Sequence, residues 1–88
     1  MDKAPSREIT LDFPVQLADR LVEKVVMRRP LMRDMLRHKL GPRSGLKEDM
    51  ALISDLCGLT ADDLELFDTV DYEKLQDQLF RFRGMADA

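Results

Sequence analysis

Ile9, Leu11, Phe13 and Val15 alternate with Thr10, Asp12, Pro14 and Gln16. A period of two predicts a half-buried strand with the apolar set facing the core. Pro14 lacks a ladder donor, so the strand should lie at an edge or end there. Residues 17–28 fit two templates. Leu17, Leu21 and Val25 would align on a helix, whereas Leu21, Val25 and Met27 would share one strand face with Glu23 out of pattern. The β-branched Val22, Val25 and Val26 favour the strand. Ala18, Asp19 and Arg20 before it favour a turn, although one without the glycine of the tightest hairpins. The reading is a β-hairpin over residues 9–29, pairing within one chain or between copies.

The period then lengthens. Pro30 ends the second strand and suits the first turn of a helix. Met32, Met35, Leu36 and Leu40 fall on one face of that helix, expected to point at the core, with Met32 near enough to the start to be shared with a partner. Arg33 and Arg37 lie one turn apart on another face. Residues 41–45, Gly-Pro-Arg-Ser-Gly, break the helix and predict a mobile loop. A second helix starts near Leu46, with Met50, Ile53 and Cys57 as its stripe and Leu52 and Leu56 flanking. Gly58 stands where a helix end takes a left-handed residue. Thr60 reads as the next N-cap, with Asp63 at the third helical position and Leu59 and Leu64 as a hydrophobic staple, opening a short helix through Phe67. Asp68 or Thr69 caps the last helix, whose core stripe is Tyr72, Leu75, Leu79 and Phe82. Phe80 falls off that stripe, as an exposed anchor or as the margin of a broad buried face.

The fold class predicted is α+β, an N-terminal β-hairpin followed by three to four helices in a small single domain. Residues 1–8 read as a flexible tail, 9–83 as the domain and 84–88 as a flexible end. With 88 residues the chain fits one domain and a small core. The apolar fraction of 44% is that of a globular protein. Cys57, the one cysteine, cannot form an internal bridge, which suits a reducing compartment. No apolar run approaches the ~20 residues that span a bilayer, and the N-terminus lacks the charged-then-apolar design of a signal peptide. These features predict a soluble, intracellular protein.

Charge changes the picture. The net charge is −3, yet its sign is segregated. Arg28, Arg29, Arg33, Arg37, Lys39, Arg43 and Lys47 face Asp34 alone, and acids dominate from Glu48 to Asp77, where Lys74 is the single cation. Such a split serves a partner surface or pairing between the two segments. Enzyme chemistry finds little footing. His38 has no companion ligands for zinc, and Cys57 has no second thiol. Cys57 reads as a small buried apolar residue and His38 as a solvated one. Asp62, Asp63 and Glu65 suit a helix N-terminus. Phosphate-cradling glycine motifs and calcium-loop spacing are absent from the sequence. No catalytic residue, metal or cofactor is expected. Nucleic acid, bound through Arg33, Arg37 and Lys39, is the alternative from another class, opposed by the acidic balance and by the shortage of aromatic platforms. A structural particle subunit is a second alternative.

The order of three blocks resembles a known family. The blocks are the strand "ITLDFPV", the run "VVMRRPLMRDML", and "MALISDLCGLTADDLELFDTVDYEKLQDQLFRF", together covering most of residues 9–82. They resemble the short tail assembly chaperones of long-tailed bacteriophages, especially the Mu-like and related contractile-tailed type. That resemblance implies a non-catalytic protein of the host cytoplasm that binds the tape measure protein and keeps it soluble during tail morphogenesis. The tail tube protein and further copies of the chain are additional partners it allows, and absence from the finished particle is expected. Such a domain would cover an amphipathic helix in a groove and keep the complex soluble through its net charge. The residues expected to meet the partner are Arg28, Arg29, Arg33 and Arg37 as basic contacts and Met32 and Phe80 as apolar ones.

Overall fold

The computed structural model describes residues 4–38 and 45–84. The expected breaker loop therefore lies outside the described residues except for Gly45, as do Lys39 and Leu40 and the C-terminal end beyond Gly84. Two antiparallel strands, β1 (Ser6–Gln16) and β2 (Leu21–Arg28), precede four helices: α1 (Met32–Arg37), α2 (Leu46–Cys57), α3 (Ala61–Leu64) and α4 (Thr69–Phe82). The hairpin is the expected one, and it pairs within the chain. β1 begins at Ser6, inside the segment read as a tail, because Ser6, Arg7 and Glu8 stand opposite Arg28, Met27 and Val26. The turn closes with Leu17 N–H donating to the Arg20 carbonyl at 2.8 Å.

The strand period fails in one place. Pairing runs regularly from Ser6–Arg28 to Thr10–Lys24 and resumes at Val15–Val22, so Leu11 to Pro14 bulge opposite Glu23 alone. Extra residues on one strand reset which side chains face inward. Leu11 and Val15 stay buried, but Phe13 is 54% exposed instead of joining the core. On β2, Val22 is buried and Leu21 is 53% exposed, the reverse of the expected arrangement. The bulge's freed amides are bound from outside the sheet. The Asp71 carboxylate, fully buried in the first turn of α4, accepts Asp12 N–H at 2.7 Å and Phe13 N–H at 2.9 Å. Lys74, one turn on, donates to Asp12 Oδ1 at 2.8 Å and to the Thr10 carbonyl at 3.1 Å.

α4 thus packs on β1 and α2 on β2, giving one layer of helices over one face of the ribbon. A two-stranded ribbon is marginal alone, so this cover supplies much of its stability. Met27, Leu52, Ile53, Leu75 and Leu79 are fully buried between the layers. The α2 stripe is centred on Leu52, Ile53 and Leu56, while Met50 and Cys57 sit at its margin. The helix ends follow the expected chemistry. Gly58 takes φ 68° at the α2 terminus. Thr60 Oγ1 accepts Asp63 N–H and Asp63 Oδ2 accepts Thr60 N–H, each at 3.1 Å. Asp68 caps α4 through Val70 N–H at 2.9 Å. α3 is shorter than the helix expected through Phe67, and Leu64 and Phe67 still reach the core.

Candidate partner-docking face

α1 is where the basic stretch and the fold meet. It starts at Met32, two residues after Pro30, with Leu31 as its N-cap. The helix is turned differently from the sequence expectation. Asp34, the acid among the arginines, is its buried residue at 1% exposure, whereas Met32 is 73% and Leu36 75% exposed. Met35 is half-buried against the core. An ion pair decides the rotation. Arg28, on the last position of β2, donates from both guanidinium nitrogens to the two oxygens of Asp34, at 2.9 and 2.8 Å. Asp34 Oδ2 also accepts Leu31 N–H at 2.8 Å and so satisfies an amide at the helix start. Turning Asp34 inward carries Met32 and Leu36 outward, since residues two apart lie on different sides of a helix.

The electrostatics follow from that geometry. Arg28 holds the Asp34 carboxyl far below the ordinary carboxylate range, against the opposing effect of burial, with help from Leu31 N–H and the nearby charge of Arg33. Asp34 in turn raises the pKa of the Arg28 guanidinium. On the other side of α1, Arg37 Nη1 lies 3.3 Å and His38 Nε2 2.9 Å from Asp55 Oδ2 on α2. His38 and then Arg37 hold Asp55 below its usual range. His38 is therefore mostly covered, with a side chain 15% exposed, where the sequence suggested a solvated residue.

The six expected contact residues separate into groups. Arg28 and Arg29 work within the fold. Arg29 donates to the Phe82 carbonyl at 3.0 Å, and its guanidinium carbon sits 5.4 Å from the centre of the Phe82 ring. A cation there complements the exposed carbonyls that end α4. Met32, Arg33 and Arg37 are exposed together on α1. Phe80 is half-buried on α4, beside the buried Leu79 and Phe82. Two residues of the α1 face lie outside the expected contact set: Leu36, exposed here where its helical period predicts the core, and Leu31, 49% exposed. The signal for both was Asp34, an acid on a basic helix one bidentate reach from Arg28. Among the described residues no other element packs extensively on α1, so there the helix has an anchored polar side and an exposed apolar side.

Other candidate chemistry stays structural. Burial pushes the Cys57 thiol up to about 12, far from a reactive thiolate. The Tyr72 hydroxyl is buried without a hydrogen-bond partner among the described residues, and burial, aided by Asp49, raises it to about 12. Among the described residues no three histidine, cysteine or acidic side chains gather to hold a metal ion, and no helix is long and apolar enough to cross a membrane.

Comparison with known proteins agrees with the resemblance. The family described as "Phage tail assembly chaperone proteins, E, or 41 or 14" matches residues 8–84. No curated protein and no solved structure matches the chain.

Proposed function

The chain belongs to the phage tail assembly chaperone family, and we propose that α1 is the face with which it holds its client, the tape measure protein. Chaperones of this family are non-catalytic and bind tape measure protein during tail assembly. The observation that carries the proposal is the open side of α1, where Met32 and Leu36 are 73% and 75% exposed one turn apart with Leu31 beside them. Arg33 and Arg37 border that apolar strip. A strip of this width fits one side of an amphipathic helix, and its basic border selects helices with acidic flanks. Phosphate binding has weaker support. Arg28 is committed to Asp34 and Arg37 is shared with Asp55, while Lys39 lies outside the described residues.

The protein would act in the host cytoplasm, masking apolar helix until tube subunits replace it, and would leave before the particle is complete. Co-expression with the tape measure protein of the same phage or prophage tests this. The chain should raise the soluble fraction of the client and co-purify with it at moderate salt. The Met32→Glu/Leu36→Glu variant, unchanged in circular dichroism, should lose both effects. Equal client solubility with and without the chain, or full retention by the folded variant, refutes the α1 reading.

A further inference from the structure

β2 has a free edge. One side of the strand is paired with β1, and the sheet of the described residues ends at β2 on the other. Residues 20–26 line, without a gap, a single open groove of about 360 Å³ whose far wall carries Cys57 and Leu59. Both inward-facing and outward-facing residues of the strand line it, so the groove follows the backbone edge. An exposed edge of this kind offers unpaired amides and carbonyls to another strand. Lys24 is the charge on this edge, and its side chain, 62% exposed and only loosely paired with Glu8 at 3.7 Å, can turn toward a facing strand.

The bulge gives this edge an unusual property. Val22 and Val25 are three residues apart yet each 6% exposed, and the flanking Leu21 and Val26 are 53% and 52% exposed. The pairing irregularity opposite Glu23 makes that spacing possible. The in–out order around the midpoint of Glu23 and Lys24 therefore reads the same in both directions. A second copy placed antiparallel about a two-fold axis through that midpoint would set Leu21 opposite Val26, Val22 opposite Val25, and Glu23 opposite Lys24 twice. Apolar meets apolar on each face, and each acid meets a base. Matched faces and opposite charges are what cross-strand pairing rewards, and an isologous two-fold contact requires this self-complementarity.

We propose that the free edge of β2 pairs with the same edge of a second copy of this chain, joining two hairpins into one four-stranded antiparallel sheet. The residues involved lie on β2, apart from the α1 strip, so this inference and the client-binding reading stand or fall separately. Sedimentation equilibrium of the full chain should give a dimer in the micromolar range. Glu23→Lys puts two lysine pairs across the axis and Lys24→Glu puts two glutamate pairs there. Each should weaken self-association about ten-fold or more, with circular dichroism unchanged. The Glu23→Lys/Lys24→Glu double variant should recover the dimer. An equimolar mixture of the two single variants should form a heterodimer, which native mass spectrometry would detect. A wild-type monomer at ~100 µM, single variants that associate as well as wild type, or a double variant that stays weak overturns the proposal. So does a monomer whose β2 amides gain hydrogen-exchange protection only when a tape measure segment is added, because the edge would then belong to the client.

Discussion

Replacing Asp34 by Asn keeps the size of the side chain and removes its charge, which isolates what the carboxylate does for α1. In the native protein Asp34 takes two bonds from Arg28, at 2.9 and 2.8 Å, and one from Leu31 N–H at 2.8 Å. Asparagine has one acceptor oxygen. Its NH2 would face a guanidinium N–H, donor against donor. Charge-assisted hydrogen bonds contribute about 1.5–3 kcal/mol each, and losing a helix-start contact costs ~1 kcal/mol. Breaking a fully buried ion pair costs about 3–5 kcal/mol, mostly by stranding the other charge. Here the survivor, Arg28, has a side chain 42% exposed and regains water, which lowers the loss. The expected cost is about 2–4 kcal/mol at pH 7, or roughly a 10–20 °C drop in Tm for a domain this small. Urea unfolding followed by circular dichroism measures it, provided the denaturant slope stays constant. The pH dependence has a fixed sign. Asp34 is held below the value near 3.9 of an unfolded aspartate, so its stabilisation is fully present above that value and is lost as pH falls through the folded pKa. The difference between wild type and Asp34→Asn should therefore shrink steadily below about pH 4. A cost under ~0.5 kcal/mol at pH 7, the range of ordinary surface changes, or a cost constant down to pH 2, would refute the reasoning.

Two further expectations concern the other buried groups. Asp71→Asn keeps one acceptor for the two bulge amides and should cost about 2–3 kcal/mol; amide exchange by NMR should show Asp12 and Phe13 losing protection before Leu75 or Leu79, and uniform loss would contradict the assigned role. The Cys57 thiol, raised to about 12, should react with iodoacetamide at pH 8 at least ~100-fold more slowly in the folded chain than in urea, and comparable rates would show that the thiol is not shielded.

The architecture was legible because its signals are local. Thr60 with Asp63, Gly58 and Asp68 each act within a few residues, and the stripe Leu75, Leu79 and Phe82 needs only the helical period. The errors come from long-range pairing. Phe13 fits the alternation of its strand, but the acceptor that opens the bulge is Asp71, 58 residues away. Leu36 fits an apolar helical face, but the rotation of α1 is set by Arg28 across the strand–helix junction. Hydrophobic periodicity cannot register a buried carboxylate, because it scores Asp34 and Asp71 as solvent-facing. The internal contacts of Arg28 and Arg29, with Asp34 and with the end of α4, lie beyond hydrophobic periodicity for the same reason.

Segregated charge along the chain suggested a cationic exterior waiting for a partner. Much of that charge is spent internally: Arg28 on Asp34, Arg29 on the end of α4, Arg37 and His38 on Asp55. These contacts orient α1, and orientation is what exposes Leu31, Met32 and Leu36. If α1 is the docking face proposed above, the basic segment would serve it chiefly by fixing which side of a short helix faces water, with Arg33 and Arg37 as its border. It follows that weakening the Arg28–Asp34 pair should reduce capture of the client even though neither residue lies on the exposed strip.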